Sequence, residues 1–247
     1  MNVVMPMAGH GRRFAEAGYS APKPLIDVLG RPMYSWAVDG LPLDRAKRLI
    51  FVCLREHLKD LDLERDIRNR YAAYDPIILP LEQVTQGQAC TVLMAREWID
   101  NSDELLIFNA DTHCRTTLGS AIESWSADVA GALDIFIAEG DKWSFVRLEG
   151  SDRVVETAEK KRISTWGTTG LYYFRHGYDF VRHTKAMISE EDRINNEFYI
   201  APLYNRMIAE GLNIRANLVS NVWAMGTPED LSSFKSSFPL ASASNPS

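Results

Sequence analysis

Cysteine is scarce in this 247-residue chain, and nothing in its spacing pairs it. Cys53, Cys90 and Cys114 are odd in number and lack a Cys-x-x-Cys spacing, which excludes a disulfide framework and a thiolate zinc site. Cys53 and Cys90 lie inside apolar runs and read as buried thiols of a reducing compartment. Long hydrophobic stretches are also missing. No apolar run approaches ~18 residues, and the first residues show no basic region leading into an apolar stretch and a cleavage site. A membrane span and a secretion signal are therefore excluded, and the expected location is cytoplasmic. Positive charge is in deficit, with 27 Lys and Arg against 33 Asp and Glu and a formal net charge of −6. A nucleic-acid backbone is thus not expected as a bulk partner, although a local basic pocket remains compatible with an acidic whole. No internal repeat or linker divides the chain, so a single domain is expected over 1–235. The one biased segment, 236–247, is rich in Ser, Ala, Pro and Asn and is expected to be disordered. The remainder, 46% hydrophobic and 24% charged, suffices for a sizeable core.

The first half alternates strand and helix. Val3–Met7 is a short apolar run, Asp27–Met33 reads as a short strand turning at Gly30, and Met33–Leu41 has helical spacing. Arg48–Leu54 is continuously apolar, as a parallel strand covered on both faces would be. A charge-rich, helical or partly looped stretch runs from His57 to Tyr74. Strands follow at Ile77–Leu81 and Glu104–Phe108, with a helix opening at Gln86-Gly87 and reaching about Trp98. This order predicts an α/β fold with a Rossmann-like, mostly parallel mixed sheet flanked by helices. Beyond a helix at Thr117–Trp125 and a strand within Val129–Ala138, short strands at Phe145–Leu148, Val154–Ala158 and Gly170–Phe174 suggest an antiparallel portion. Helices are expected at Gly177–Ile188, at Phe198–Glu210 with Gly211 capping, and at Pro228–Phe234 with Thr227 as N-cap. A strand is expected at Ile214–Val219.

Ligands of open parallel sheets collect at the carboxyl ends of the strands. Three features fall there: the loop Ala8-Gly9-His10-Gly11-Arg12-Arg13, the helix start at Gln86-Gly87, and Asp111 closing Asn109-Ala110-Asp111. A strand that ends in a glycine loop and feeds a helix aims backbone N–H groups at one point and suits phosphate. The glycines alone fit an ordinary strand–turn–helix equally well. Arg13 sits where a cation opposes the helix dipole, which a bound anion would rationalise. Lys23 is held between Pro22 and Pro24, in a rigid turn that aims its ammonium or merely decorates the surface. Asp111 at the end of a buried strand can offer a carboxylate to Mg²⁺ bridging phosphates, or can cap a following helix. Together these groups suit transfer of a nucleotidyl or phosphoryl group, chemistry that needs positioning and charge neutralisation more than a nucleophile.

The segment Gly9-His10-Gly11-Arg12-Arg13-Phe14 followed by Pro22-Lys23-Pro24-Leu25 resembles the glycine-rich signature of sugar-phosphate nucleotidylyltransferases. Gln86-Gly87, Asn109-Ala110-Asp111, Glu159-Lys160, Thr169-Gly170-Leu171-Tyr172, Glu197 and Trp223–Thr227 agree in order. Five blocks bring the likeness nearest to a capsule-cluster subgroup resembling CTP:phosphoglutamine cytidylyltransferase. They are Thr85–Thr91, Lys142-Trp143-Ser144, Ala158–Lys161, Asn196-Glu197-Phe198-Tyr199 and Gly226–Leu231. The resemblance implies a GT-A-like sheet with an antiparallel acceptor-binding portion. It also implies an Mg²⁺-dependent transfer of NMP from an NTP to a phosphorylated small-molecule acceptor, with release of pyrophosphate, for capsule or surface polysaccharide. By the same resemblance, Met7 and Ala8 to Arg12, Glu82, Gln83, Gln86, Gly87 and Asn109 bind the nucleotide. Arg13 neutralises the leaving pyrophosphate, Lys23 bridges the α-phosphate and the acceptor, and Asp111 holds Mg²⁺. Trp143, Glu159, Lys160, Thr169, Gly170 and Glu197 line the acceptor pocket. A homo-oligomer is left open.

One position departs from that pattern. Many relatives carry a second metal-binding Asp where Ala224 stands, so the metal rests on Asp111 alone or on another acid such as Glu197. Glu82, five residues before Gly87, accepts hydrogen bonds, which suits a cytosine amine or a guanine edge and makes CTP the preferred nucleotide unless the side chain points into solvent. Two other readings compete. A glycosyltransferase would show an Asp-x-Asp motif, which Asn109-Ala110-Asp111 lacks. A non-catalytic nucleotide-binding regulator would fit Ala224 but leaves Arg13, Lys23 and Asp111 without a purpose.

Overall fold

Val3, Val4 and Met5 are wholly buried, and their strand β1 (Asn2–Met7) lies within the parallel part of a nine-stranded sheet. The structure is a computed structural model that describes residues 1–59 and 62–238. A short helix α1 (Arg12–Glu16) follows, then a hairpin of β2 (Asp27–Val28) and β3 (Arg31–Pro32) turned by Leu29 and Gly30, both at positive φ. The fully buried α2 (Met33–Val38) leads to β4 (Arg48–Leu54), α3 (Arg55–Lys59), α4 (Leu63–Arg70) and β5 (Ile77–Leu81). Next come α5 (Gln88–Leu93), α6 (Arg96–Ile99), β6 (Leu105–Phe108), β7 (Thr112–Cys114) and α7 (Leu118–Ser124). The second half contains β8 (Val129–Ile137), β9 (Ser144–Glu149), β10 (Arg153–Glu159), β11 (Trp166–Phe174), α8 (Gly177–Ser189) and α9 (Ala201–Ala209). It ends with β12 (Asn213–Leu218), β13 (Val222–Ala224) and α10 (Pro228–Ser237).

The sheet runs β5-β4-β1-β6-β11-β8-β12-β10-β9. The first four strands are mutually parallel, as is the β8–β12 pair, but β11 runs antiparallel to both β6 and β8. β10 is antiparallel to β12 and β9, and β9 also pairs with β11, so the last five strands close on themselves. The sheet is therefore mixed; a mostly parallel description holds for the first half only. Successive residues of β4 alternate between two cores, which is why the strand reads as one apolar run. Ile50, Val52 and Leu54 enter one core, while Leu49, Phe51 and Cys53 enter the other.

Several boundaries differ from expectation for local reasons. The helix expected from Gln86 to about Trp98 is two helices, α5 and α6, interrupted at Met94 and Ala95. The helix expected from Phe198 begins only at Ala201, because Phe198 extends its backbone to Gln86 and Ala89. The ribbon of β7 and β13 was not legible in the sequence; it makes Asp111 the lead-in to a strand and not a helix cap, while Thr117 is the N-cap residue of α7. Thr227 caps α10 as expected, accepting from the Asp230 N–H at 3.2 Å. Ser236 and Ser237 complete that helix, and the Phe238 ring lies 4.9 Å from the Trp36 ring, so the tail expected from Ser236 begins with helix. Residues 239–247 lie outside the described ones. No described helix is long and apolar enough to cross a membrane.

One buried group makes the sheet sensitive to pH. Asp134 in β8 has no exposed surface; it accepts from Asn217 Nδ2 at 2.7 Å, and its other oxygen has no partner among the described residues. Burial raises its pKa from 3.8 to about 7, against the hydrogen bonds from Thr116 and Asn217. The native state therefore keeps this proton where the unfolded chain has lost it, so stability falls as pH rises from about 4 to about 7 and levels off beyond. Asp134→Asn should flatten that slope in urea unfolding followed across this window; an unchanged slope would contradict the assignment.

Candidate active site

β1 and β6 are parallel neighbours in register from Asn2↔Leu105, so the segments leaving Met7 and Phe108 emerge on one rim. A cleft of about 670 Å³ opens there. Met7, Ala8, Gly9, His10, Gly11 and Arg12 line one side, and Gln86, Gly87 and Asn109 line it from the neighbouring segments. A second cleft, of about 550 Å³, lies beside it and receives Arg13, Trp143, Glu159, Lys160, Thr169 and Gly170. Lys23, Gln88, Asn109 and Asp111 line both clefts and form the wall between them.

That wall is built tightly. The Lys23 ammonium donates to the Asp111 carboxylate, lies 3.4 Å from the Gly226 carbonyl oxygen and sits 5.7 Å from the centre of the buried Phe14 ring. Lys23 begins a single 3₁₀ turn after Pro22, and the glycine loop comes close behind it. A Cβ on Gly11, whose φ is +62°, would stand 2.9 Å from the Lys23 Cβ. Gly11 thus turns the chain into α1 and makes room for the lysine. The Gln88 amide donates to the Asn109 side-chain oxygen, and Asn109 lies across Gly170, where a Cβ would fall 2.2 Å from its Nδ2. With φ at +86°, Gly170 sits in an irregular part of β11 that lets Asn109 cross.

In the second cleft the Glu159 carboxylate accepts from Ser144 Oγ, and burial raises its pKa. The Lys160 ammonium donates to the Tyr199 hydroxyl at 2.6 Å. Burial lowers the pKa of Lys160, but the Tyr199 hydroxyl and the carboxylates of Glu159 and Glu197 outweigh it and the net shift is upward. Lys142 pairs with Asp230 at 2.5 Å and lies 5.0 Å from the centre of the Trp143 ring.

Glu82, Gln83, Arg13 and Glu197 are placed differently from the sequence expectation. Glu82 pairs with Arg55 at 2.6 Å, is 73% exposed, and together with Gln83 stays outside both clefts. Arg13 lines the second cleft while Arg12 lines the first, since consecutive helical residues point in different directions. Glu197, expected in the acceptor pocket, lines the first cleft. Gly87 lines the first cleft, and its lack of a side chain has a further cause, because a Cβ there would meet the Phe198 backbone nitrogen at 2.5 Å.

Sequence reasoning assigned no role to Tyr199, Gln88 or Asp230. All three lie inside the motif blocks Thr85–Thr91, Asn196–Tyr199 and Gly226–Leu231, but only the fold shows what they face. Asp230 is the more informative omission. A Cβ on Gly226 would lie 3.5 Å from Asp111 Oδ2 and 3.7 Å from Asp230 Oδ2, so Asp230 brings a carboxylate near Asp111 that Ala224 cannot. Among the described residues no three His, Cys, Asp or Glu side chains converge into a metal cage. The partly exposed Asp111 carboxylate, which lines both clefts, still fits Mg²⁺, which is ordinarily held by one or two carboxylates with substrate phosphates and water.

Comparison with known proteins agrees with this geometry. No curated protein sequence matches the chain. The nucleoside-diphosphate-sugar pyrophosphorylase of Vibrio cholerae RC9 is 29% identical, with a TM-score of 0.82 over 95% of this chain and 99% of that one. The inositol-1-phosphate CTP transferase of T. maritima shares the fold at 16% identity, with a TM-score of 0.70 over 96% of each chain. A UDP-glucose pyrophosphorylase complexed with UDP-glucose shares it at 16% identity, with a TM-score of 0.76 over 96% of this chain and 97% of that one. A family model described as Nucleotidyl transferase matches residues 2–234, and the chain belongs to that family, within the sugar-phosphate nucleotidylyltransferase superfamily.

Proposed function

We propose that this protein transfers NMP from an NTP to a phosphorylated small molecule, the NTP occupying the first cleft and the acceptor the second. The observation that carries this reading is the Lys23–Asp111 pair, which faces both clefts at once. Backbone groups from Ala8 to Arg12 would face the triphosphate. The acceptor's phosphate oxygen attacks the α-phosphorus as the bond to the β-phosphate breaks, and pyrophosphate leaves with that bond's electron pair. Lys23 screens the two phosphates from each other during the attack. Mg²⁺ held by Asp111 would add charge neutralisation at the same phosphates. Glu159, Lys160, Thr169 and Gly170 serve the acceptor, and Arg12, which lines the first cleft, and Arg13, which lines the second, are the cations available to neutralise the departing pyrophosphate.

CTP as the nucleotide, and capsule or surface polysaccharide as the destination, rest on the subgroup resemblance of Thr85–Thr91 and the later blocks. Glu82 no longer supports CTP, since it is engaged by Arg55 outside the cleft. The base is instead met by Val84, Thr85 and Gln86, which line the first cleft. A cytoplasmic enzyme of one domain over 1–235 completes the proposal.

The first test is pyrophosphate release from each NTP with Mg²⁺ and a panel of phosphorylated acceptors. Lys23→Ala should abolish turnover with the fold intact; activity surviving within about tenfold (~1.4 kcal/mol in barrier) would refute its role. The two glycines separate binding from folding. A methyl group added at Gly9 would meet no atom within 4 Å, so Gly9→Ala should leave stability within ~0.5 kcal/mol yet weaken NTP affinity by calorimetry. Gly87→Ala, at φ +132° against the Phe198 backbone, should lower the melting temperature by a destabilisation of ~2 kcal/mol or more. Unchanged NTP affinity in Gly9→Ala would count against the phosphate-facing loop.

A further inference from the structure

Tyr199 has a position that the two-cleft reading does not use. It is half-buried at the end of a strap, Ile194–Tyr199, that touches both clefts. Ile194 and Glu197 exchange backbone hydrogen bonds at 3.0 Å across Asn195 and Asn196, both at positive φ, which makes a tight two-residue turn. Asn196 and Glu197 thereby reach the nucleotide cleft. The next residue is clasped: the Phe198 N–H donates to the Gln86 carbonyl at 2.9 Å, and its own carbonyl accepts from the Ala89 N–H at 3.0 Å. The Phe198 ring is fully buried, and Arg193 lies 4.3 Å from its centre while also reaching Gln86 Oε1 at 3.2 Å. Tyr199 leaves this anchored point into the acceptor cleft.

There it meets Lys160, a long side chain at a strained backbone position, φ +50°, just beyond β10. The Lys160 N–H is tied to the Trp143 carbonyl at 3.0 Å, but its ammonium has one hydrogen-bond partner among the described residues, the Tyr199 hydroxyl at 2.6 Å. The ammonium also lies 4.7 Å from the centre of the Tyr199 ring. We propose that Tyr199 is a positioning residue that acts through Lys160, aiming its ammonium at the acceptor's phosphate from an anchor fixed to the nucleotide-binding segment. This inference rests on the acceptor reading of the second cleft. A free lysine side chain would give up rotamer entropy on binding the acceptor; one already held by a hydroxyl has given up part of it beforehand. Because Phe198 is bonded to Gln86 and Ala89, the same strap makes the acceptor side depend on the geometry of the nucleotide side.

Tyr199→Phe keeps the ring and removes only the hydroxyl, which makes it the decisive variant. It should raise the acceptor KM about tenfold, the worth of one charge-assisted hydrogen bond, with the NTP KM unchanged. In a Lys160→Ala background the same change should add nothing. Independently of turnover, acetylation by acetic anhydride, read by peptide mass spectrometry, should be faster at Lys160 in Tyr199→Phe than in the wild type. Lys185, 55% exposed, serves as the internal standard. Losses that simply add in the double variant, or unchanged Lys160 acetylation, overturn the inference in an active enzyme. Absence of pyrophosphate from the wild type with every pairing overturns instead the functional reading on which it rests, and the acetylation result then shows only whether the pairing exists.

Discussion

The ion pair between Lys23 and Asp111 is the constraint on which the rest of the site depends. Its two side chains are 23% and 29% exposed, so its contribution to stability is modest, and what matters is where it holds its charges. It closes the wall between two clefts and is itself held from several sides. Gly11 leaves room for the lysine, Phe14 lies beneath it, and Gly226 brings the β13–α10 connection within reach of both charges. The wall continues through the Gln88–Asn109 bond to Gly170, so segments far apart in sequence converge on one partition. A carboxylate and an ammonium fixed there can face phosphates from either side without moving, which is what transfer between two anionic partners demands.

The sheet supplies that convergence. Parallel β1 and β6 put the glycine loop and Asn109–Asp111 on one rim, and antiparallel β11 delivers Gly170 beside them. The β7–β13 ribbon then returns the chain so that Met225 donates to the Asp111 carbonyl at 2.8 Å, setting Gly226 and Asp230 against the same aspartate. The second half closes into a ring of strands that walls the other cleft, with Glu159 and Lys160 at the end of β10.

Legibility in the sequence followed local physics. β4 was readable to the residue, because a strand buried on both faces is continuously apolar and the surrounding charges end it, and β5, the half-buried edge strand beside it, still reads as a short apolar run. The Thr227-Pro228 cap was readable for the same reason, since one side chain and one fixed φ decide it. The ribbon of β7 and β13 was not, because three-residue strands have no period and exist only through each other. Glycine meanings were half legible. Gly11 did mark a turn, but the need for Gly87 comes from Phe198, over a hundred positions away, and no local pattern announces it. The same holds for side-chain direction. Arg12 and Arg13 are neighbours in sequence and face different clefts, while Glu82, a plausible reader of a base, is drawn to Arg55.

If the wall separates donor from acceptor, the acceptor's oxygen reaches the α-phosphorus directly and no group of the protein is ever nucleotidylated. The stereochemistry of transfer from an NTP made chiral by sulfur at the α-phosphorus measures this most directly. A single displacement across the wall predicts inversion of configuration in the product. Retention would require two displacements through a covalent protein intermediate, and would contradict a site built from Lys23 and Asp111 as positioned charges.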